Sequence, residues 1–87
     1  MPKIKKSEYI RISKTLVRKL FDAGCFGKGS FYVHILQEAI PPEDKGKVQA
    51  VVDALVKQDI LGKKKKLRGW KYFLKRERID KIREIVR

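Results

Sequence analysis

The chain has 87 residues and a mass of 10.2 kDa, with 23 Lys and Arg against 10 Asp and Glu and a formal net charge of +13. That length allows one domain with a simple core, and the 43% hydrophobic content, recurring periodically along the chain, argues against disorder throughout. No apolar run exceeds three residues, far short of the roughly 20 needed to cross a bilayer, and the basic start Met1–Lys6 has no apolar stretch behind it, so neither a membrane span nor a signal peptide is expected.

The first element in chain order is a basic arm, residues 1–7, carrying Lys3, Lys5 and Lys6. Residues 8–23 then read as an amphipathic helix. Tyr9, Ile12, Leu16, Val17, Leu20 and Phe21 share one face at spacings of three and four. Ser7 is the expected N-cap and Gly24 the expected stop. Arg11, Lys14 and Arg18 form a basic stripe on the opposite face. A glycine-rich turn follows, and residues 31–40 are expected to begin extended and finish as a short helix before Pro41-Pro42.

Residues 43–58 give the clearest helical pattern, with Val48, Val51, Val52, Leu55 and Val56 on one face and Glu43 and Asp44 at the positive N-terminus. The outward face presents Gly46, Ala50, Asp53, Ala54 and Lys57, edged by Lys47 and Gln49. Next come Ile60-Leu61-Gly62 and four lysines, a turn at Leu67-Arg68-Gly69, and the aromatic run Trp70-Lys71-Tyr72-Phe73-Leu74, together a hairpin with a basic tip. Residues 76–87 place Ile79, Ile82, Ile85 and Val86 on one helical face.

Charge is distributed unevenly over these elements. Residues 1–28 hold eight basic and two acidic groups, a net +6; residues 29–59 hold three and five, a net −2; residues 60–87 hold twelve and three, a net +9. A polyanion is therefore expected to be gripped by the ends. Within the hairpin, strand alternation sends Lys63 and Lys65 to one face and Lys64 and Lys66 to the other. Trp70, Tyr72 and Leu74 share a face, expected to pack into the core, with base stacking as the sharper alternative.

Chemistry at a catalytic centre finds little support. Gly24, Gly27, Lys28, Gly29 and Ser30 have the residue types of a phosphate loop but not its spacing, since the lysine must precede Ser or Thr directly. Cys25 and His34 are the sole thiol and imidazole, too few for a disulfide or a multi-cysteine zinc site. The chain is expected to be no enzyme, to use no cofactor or metal, and to reside in the cytoplasm, associated with the nucleoid or the ribosome.

The order helix, short helix, longer helix, hairpin, helix resembles the winged-helix family of helix-turn-helix domains. The resemblance rests on Lys47–Leu61, with its apolar residues Val48, Val51, Val52, Leu55, Val56, Ile60 and Leu61, followed by the basic hairpin 62–74. It covers residues 8–75, with 76–87 as an added C-terminal helix, a mainly α fold with a small β-hairpin. Gln58-Asp59 stands where the commonest pattern has a glycine-containing turn. The resemblance implies a third helix able to enter the major groove, with a wing beside it. Double-stranded DNA is the expected partner, bound mainly through phosphates, by a transcription regulator or a chromosome-associated protein. Structured RNA and a protein partner are the alternatives. The expected contacts are Lys63, Lys64, Lys65, Lys66, Arg68 and Lys71 in the hairpin, Lys47 and Lys57 on the third helix, and Arg11, Lys14 and Arg18 as a secondary ridge. The apolar stripe of the last helix is expected to pack on the first helix in a monomer, with a homodimer through that stripe as the alternative.

Overall fold

The computed structural model describes residues 4–27 and 29–87. Met1–Lys3 of the basic arm and Lys28 of the glycine-rich turn lie outside the described residues. Helix α1 spans Lys6–Asp22, so Lys5 and Lys6 open the helix rather than extending an arm, and Ser7 is inside it. Glu8, not Ser7, serves the N-terminus, its carboxylate accepting the backbone N–H of Lys5 at 3.3 Å. At the far end Gly24 adopts φ +69, the left-handed geometry a glycine takes without a Cβ penalty. That reversal lets the N–H of Cys25 reach Leu20 O at 2.9 Å and the N–H of Gly24 reach Phe21 O at 3.0 Å, satisfying two helix-end carbonyls.

Cys25 is buried, and its carbonyl accepts the N–H of Leu74 at 2.7 Å. Strand β1, Phe31–Tyr32, follows, and helix α2 spans Val33–Gln37. The expected extended start and short helix are both present. A 3-10 turn, Pro42–Lys47, leads into helix α3, Val48–Lys57. The helix expected over 43–58 therefore becomes α-helical only at Val48. Pro42 and Gly46 are poor α-helix residues, and the tighter turn draws Asp44 inward until it is only 4% exposed.

Helix α3 ends as α1 does, with an aspartate in place of the glycine. Asp59 has φ +66, and the N–H groups of Asp59 and Ile60 bond back to Val56 O and Leu55 O, each at 3.0 Å. Asp is among the few side chains that tolerate this region. Its carboxylate is held by Lys75 Nζ at 2.7 Å and Arg78 Nη2 at 3.3 Å, so the left-handed turn is locked to the residues that follow the hairpin.

Strands β2, Leu61–Lys66, and β3, Gly69–Leu74, form the expected hairpin, and β1 adds to the free side of β3. The sheet is antiparallel with order β1-β3-β2. The register pairs Leu61 with Leu74, Lys63 with Tyr72, Lys65 with Trp70 and Lys66 with Gly69, leaving Leu67 and Arg68 as the turn. Opposite Phe73 stands Gly62, where an added Cβ would lie 2.4 Å from the ring. The phenylalanine thus lies over the glycine and fills its missing side chain's place.

A second 3-10 turn, Arg76–Arg78, precedes helix α4, Ile79–Val86. Among the described residues the result is an α+β domain of four helices and one three-stranded sheet. Its core combines Ile12, Leu16, Val17 and Leu20 of α1 with Val48, Val51, Val52 and Leu55 of α3. Leu36, Leu61, Tyr72, Leu74 and Ile82 complete it from the other elements. Packing of α4 on α1 buries Ile82 completely, while Ile79, Ile85 and Val86 are half-buried. Ser13 is also buried in the apolar face of α1, and its Oγ has no hydrogen-bond partner among the described residues. No described helix is long and apolar enough to cross a membrane.

Candidate nucleic-acid interface

Two of the expected contact cations are committed elsewhere. Arg11 donates from Nη2 to Asp44 Oδ2 at 2.8 Å. Lys47 donates to Glu8 and lies 3.5 Å from Asp44 Oδ1. The four side chains form a neutral lattice that ties α1 to the turn before α3. The hydrogen bond from Lys47 holds the Glu8 carboxyl below its usual range, and the same bond raises the Lys47 ammonium. Both cations serve the fold in this arrangement. The spacing of Asp44 and Lys47, i and i+3, was visible in the sequence; the pairing of Arg11 with a residue 33 positions away was not.

The other α1 residues divide as well. Arg18 is exposed, while Lys14 is half-buried and lines a groove between α1 and α4 together with Tyr9, Ile85 and Arg87. On α3, Gln49, Asp53 and Lys57 are exposed. Gln49 Nε2 donates to Asp53 Oδ1 at 2.9 Å and to the Tyr72 hydroxyl at 3.3 Å. The middle of the α3 face therefore presents an amide and an uncompensated carboxylate, with Lys57 as its cation one turn further on.

The hairpin carries the densest positive charge, and its register places each lysine. On the face that runs out from the core, Leu61, Leu74 and Tyr72 are buried; Lys63, Lys65 and Trp70 continue the same face beyond the core's edge. Trp70 is 43% exposed and Lys63 Nζ stands 4.7 Å from its ring centroid. The expectation that Trp70, Tyr72 and Leu74 all pack inward holds for the last two only. Alternation gives the face of a side chain, whereas the reach of the core along the strand decides its burial.

On the reverse face Lys64 is directly opposite Lys71, a pairing of like charges that destabilises a sheet. Each ammonium is drawn away to a different partner. Lys64 donates to Gly27 O at 3.0 Å and lies near the Phe73 ring, while Lys71 sits 5.0 Å from the Tyr32 ring centroid. Lys64 is thereby half-buried and partly satisfied. Lys65, Lys66, Leu67 and Arg68 are all exposed at the tip. Among the described residues, no acidic side chain pairs with Lys57, Lys63, Lys65, Lys66, Arg68 or Lys71.

Glu8, Asp44 and Asp59 all neutralise cations outside the hairpin. From the acidic middle of the sequence, Asp44 pairs with Arg11 of the first basic segment and Asp59 with Lys75 and Arg78 of the last, which leaves the hairpin charged. No family model, curated protein or solved structure matches the chain.

Proposed function

We propose that the protein is a winged-helix domain that binds double-stranded DNA through its phosphates, with the β2–β3 hairpin as the principal contact. The observation that carries this reading is the unpaired cation cluster Lys63, Lys65, Lys66 and Arg68 on a hairpin projecting beyond the core. The order of elements supports the winged-helix assignment: a short strand lies between the first two helices, and the hairpin follows the third. Lys71 adjoins the cluster on the reverse face of β3, and Lys57 and Arg18 are further exposed cations outside the hairpin. Arg11 and Lys47 drop out of the contact set because their carboxylate partners already neutralise them.

Phosphate contacts release condensed counterions and give affinity without reading sequence. On the α3 face Gln49 is engaged by Asp53 and Tyr72, Asp53 is exposed and Ala50 and Ala54 are half-buried, which leaves Lys57 as the face's exposed cation of the kind that reads base edges. The domain accordingly acts as a sequence-tolerant DNA binder, of the kind expected of a chromosome-associated protein or an accessory transcription regulator. Structured RNA is the second reading, favoured by Asp53, since duplex RNA is gripped through backbone and shape without a helix deep in the major groove. Competition between matched DNA and RNA duplexes at several salt concentrations tests the proposal. DNA should win at every salt concentration; equal or stronger competition by the RNA duplex would favour the second reading.

A further inference from the structure

We propose that the tip of the β2–β3 hairpin is a wedge for the minor groove of duplex DNA, with Leu67 pressed between adjacent base pairs so that the bound duplex is bent. The inference rests on the DNA-binding reading and adds where the hairpin enters and what it does there. Leu67 has a relative exposure of 106%, so the rest of the chain gives it essentially no cover. It stands at the apex of a two-residue turn, with Lys65 and Lys66 before it and Arg68 after it. A single leucine in water is ordinary. An uncovered leucine at the most projecting point of a hairpin, enclosed by cations that no described acid pairs, has the make-up of an apolar wedge with phosphate clamps.

Dimensions support the same assignment. Paired strands are about 4.8 Å apart and the minor groove is about 6 Å wide, so a turn apex fits where a full ribbon with its side chains does not. With the apex inside, Lys65 and Lys66, which alternation sends to opposite faces of the ribbon, face the two phosphate backbones that border the groove, and Arg68 lies beside Leu67 in the turn. Apolar side chains inserted from this side unstack a base step and kink the duplex, a cost offset by closer phosphate contact. Trp70 is not the wedge. It is set back from the apex by its pairing with Lys65 and is partly covered by Lys63.

The test is energy transfer between dyes at the two ends of a short duplex, measured alongside binding. Wild-type protein should shorten the end-to-end distance. Leu67→Ala should remove the bend and weaken binding by about tenfold, the order expected for losing one buried aliphatic side chain net of unstacking, with the salt slope unchanged. Arg68→Ala should keep the bend and flatten the slope by about one unit. Replacing guanine with inosine, which strips the amino group from the minor groove only, should strengthen wild-type binding and leave Leu67→Ala indifferent. Leu67 supports no packing, so both variants should melt as the wild type does.

Duplex binding with a normal salt slope but no bend, or a bend that survives Leu67→Ala, overturns the wedge and leaves the DNA-binding reading standing. Failure to bind duplex at all overturns both. The remaining outcome is Leu67-dependent binding to phosphatidylglycerol vesicles with no Leu67-dependent bend, which would assign the tip to a lipid surface and reject the wedge.

Discussion

Arg11 on α1 and Asp44 in the turn before α3 meet at 2.8 Å across 33 residues of chain, and this pair marks Arg11 as a cation with a carboxylate partner, unlike those of the hairpin tip. Asp44 is almost fully buried, whereas the Arg11 side chain is 62% exposed. The buried partner therefore depends on the exposed one. Arg11→Ala leaves a desolvated carboxylate with Lys47 as its remaining partner and should cost about 1–3 kcal/mol, read as a lower denaturant midpoint. Its DNA-binding salt slope should match that of the wild type.

Ser13 offers the opposite case, a buried polar atom with no described partner. Replacing it with alanine removes an unsatisfied hydroxyl without opening a large cavity and adds helix propensity. Ser13→Ala should be neutral or raise stability by up to about 1–2 kcal/mol. A thermal melt of the two proteins side by side checks it, and a clear loss would mean that the hydroxyl has a partner.

Stability should also depend on pH in a defined way. The hydrogen bond from Lys75 lowers the Asp59 carboxyl and raises the Lys75 ammonium; Lys47 does the same for Glu8, with its own value raised in turn. For the carboxylates the folded value lies below the unfolded one, so their contribution is present above about pH 4–5 and is lost as pH falls through the folded value. For the lysines it is present below about pH 10 and is lost as pH rises past their raised values. Asp59→Asn keeps a side chain that tolerates the left-handed backbone and removes the charge. Melting temperature against pH should fall less steeply on the acid side in this variant.

The parts of the fold that read well are those set by short-range period. Spacings of three and four located α1 and α3, and alternation of two located the hairpin and the faces of Lys63–Lys66. Gly24 announced its turn. What did not read depends on distance across the fold. Asp44 looks like an exposed N-terminal acid until the 3-10 turn carries it under Arg11. Lys47 looks like a free surface cation until Glu8, 39 residues earlier, meets it. Ser13 falls between apolar positions, and only the approach of other elements from both sides buries it. Leu67 and Trp70 depend on how far the core extends beneath the hairpin, a property of the assembled layers.

Packing of α4 on α1 bears on oligomeric state. Ile82 is fully buried within the chain, so Ile82→Ala should destabilise by about 2–4 kcal/mol, and a charge there should unfold the domain. Ile85 is half-buried at the edge of the same stripe and is the better probe of self-association. Sedimentation equilibrium should give a mass near 10.2 kDa for both wild type and Ile85→Lys. A doubled mass in the wild type that halves in the variant would make the stripe a dimer seam.

The most direct test of the account is the salt dependence of duplex DNA binding in two variants that each remove cations. One replaces Lys63, Lys65, Lys66 and Arg68 with alanine; the other replaces Arg11 and Lys47. Each phosphate contact contributes about −0.9 to the slope of log affinity against log salt. The hairpin variant should flatten the slope by roughly three to four units while remaining folded. The Arg11 and Lys47 variant should lose stability and keep the wild-type slope. An unchanged slope in the hairpin variant, with the loss appearing in the other, would contradict the account.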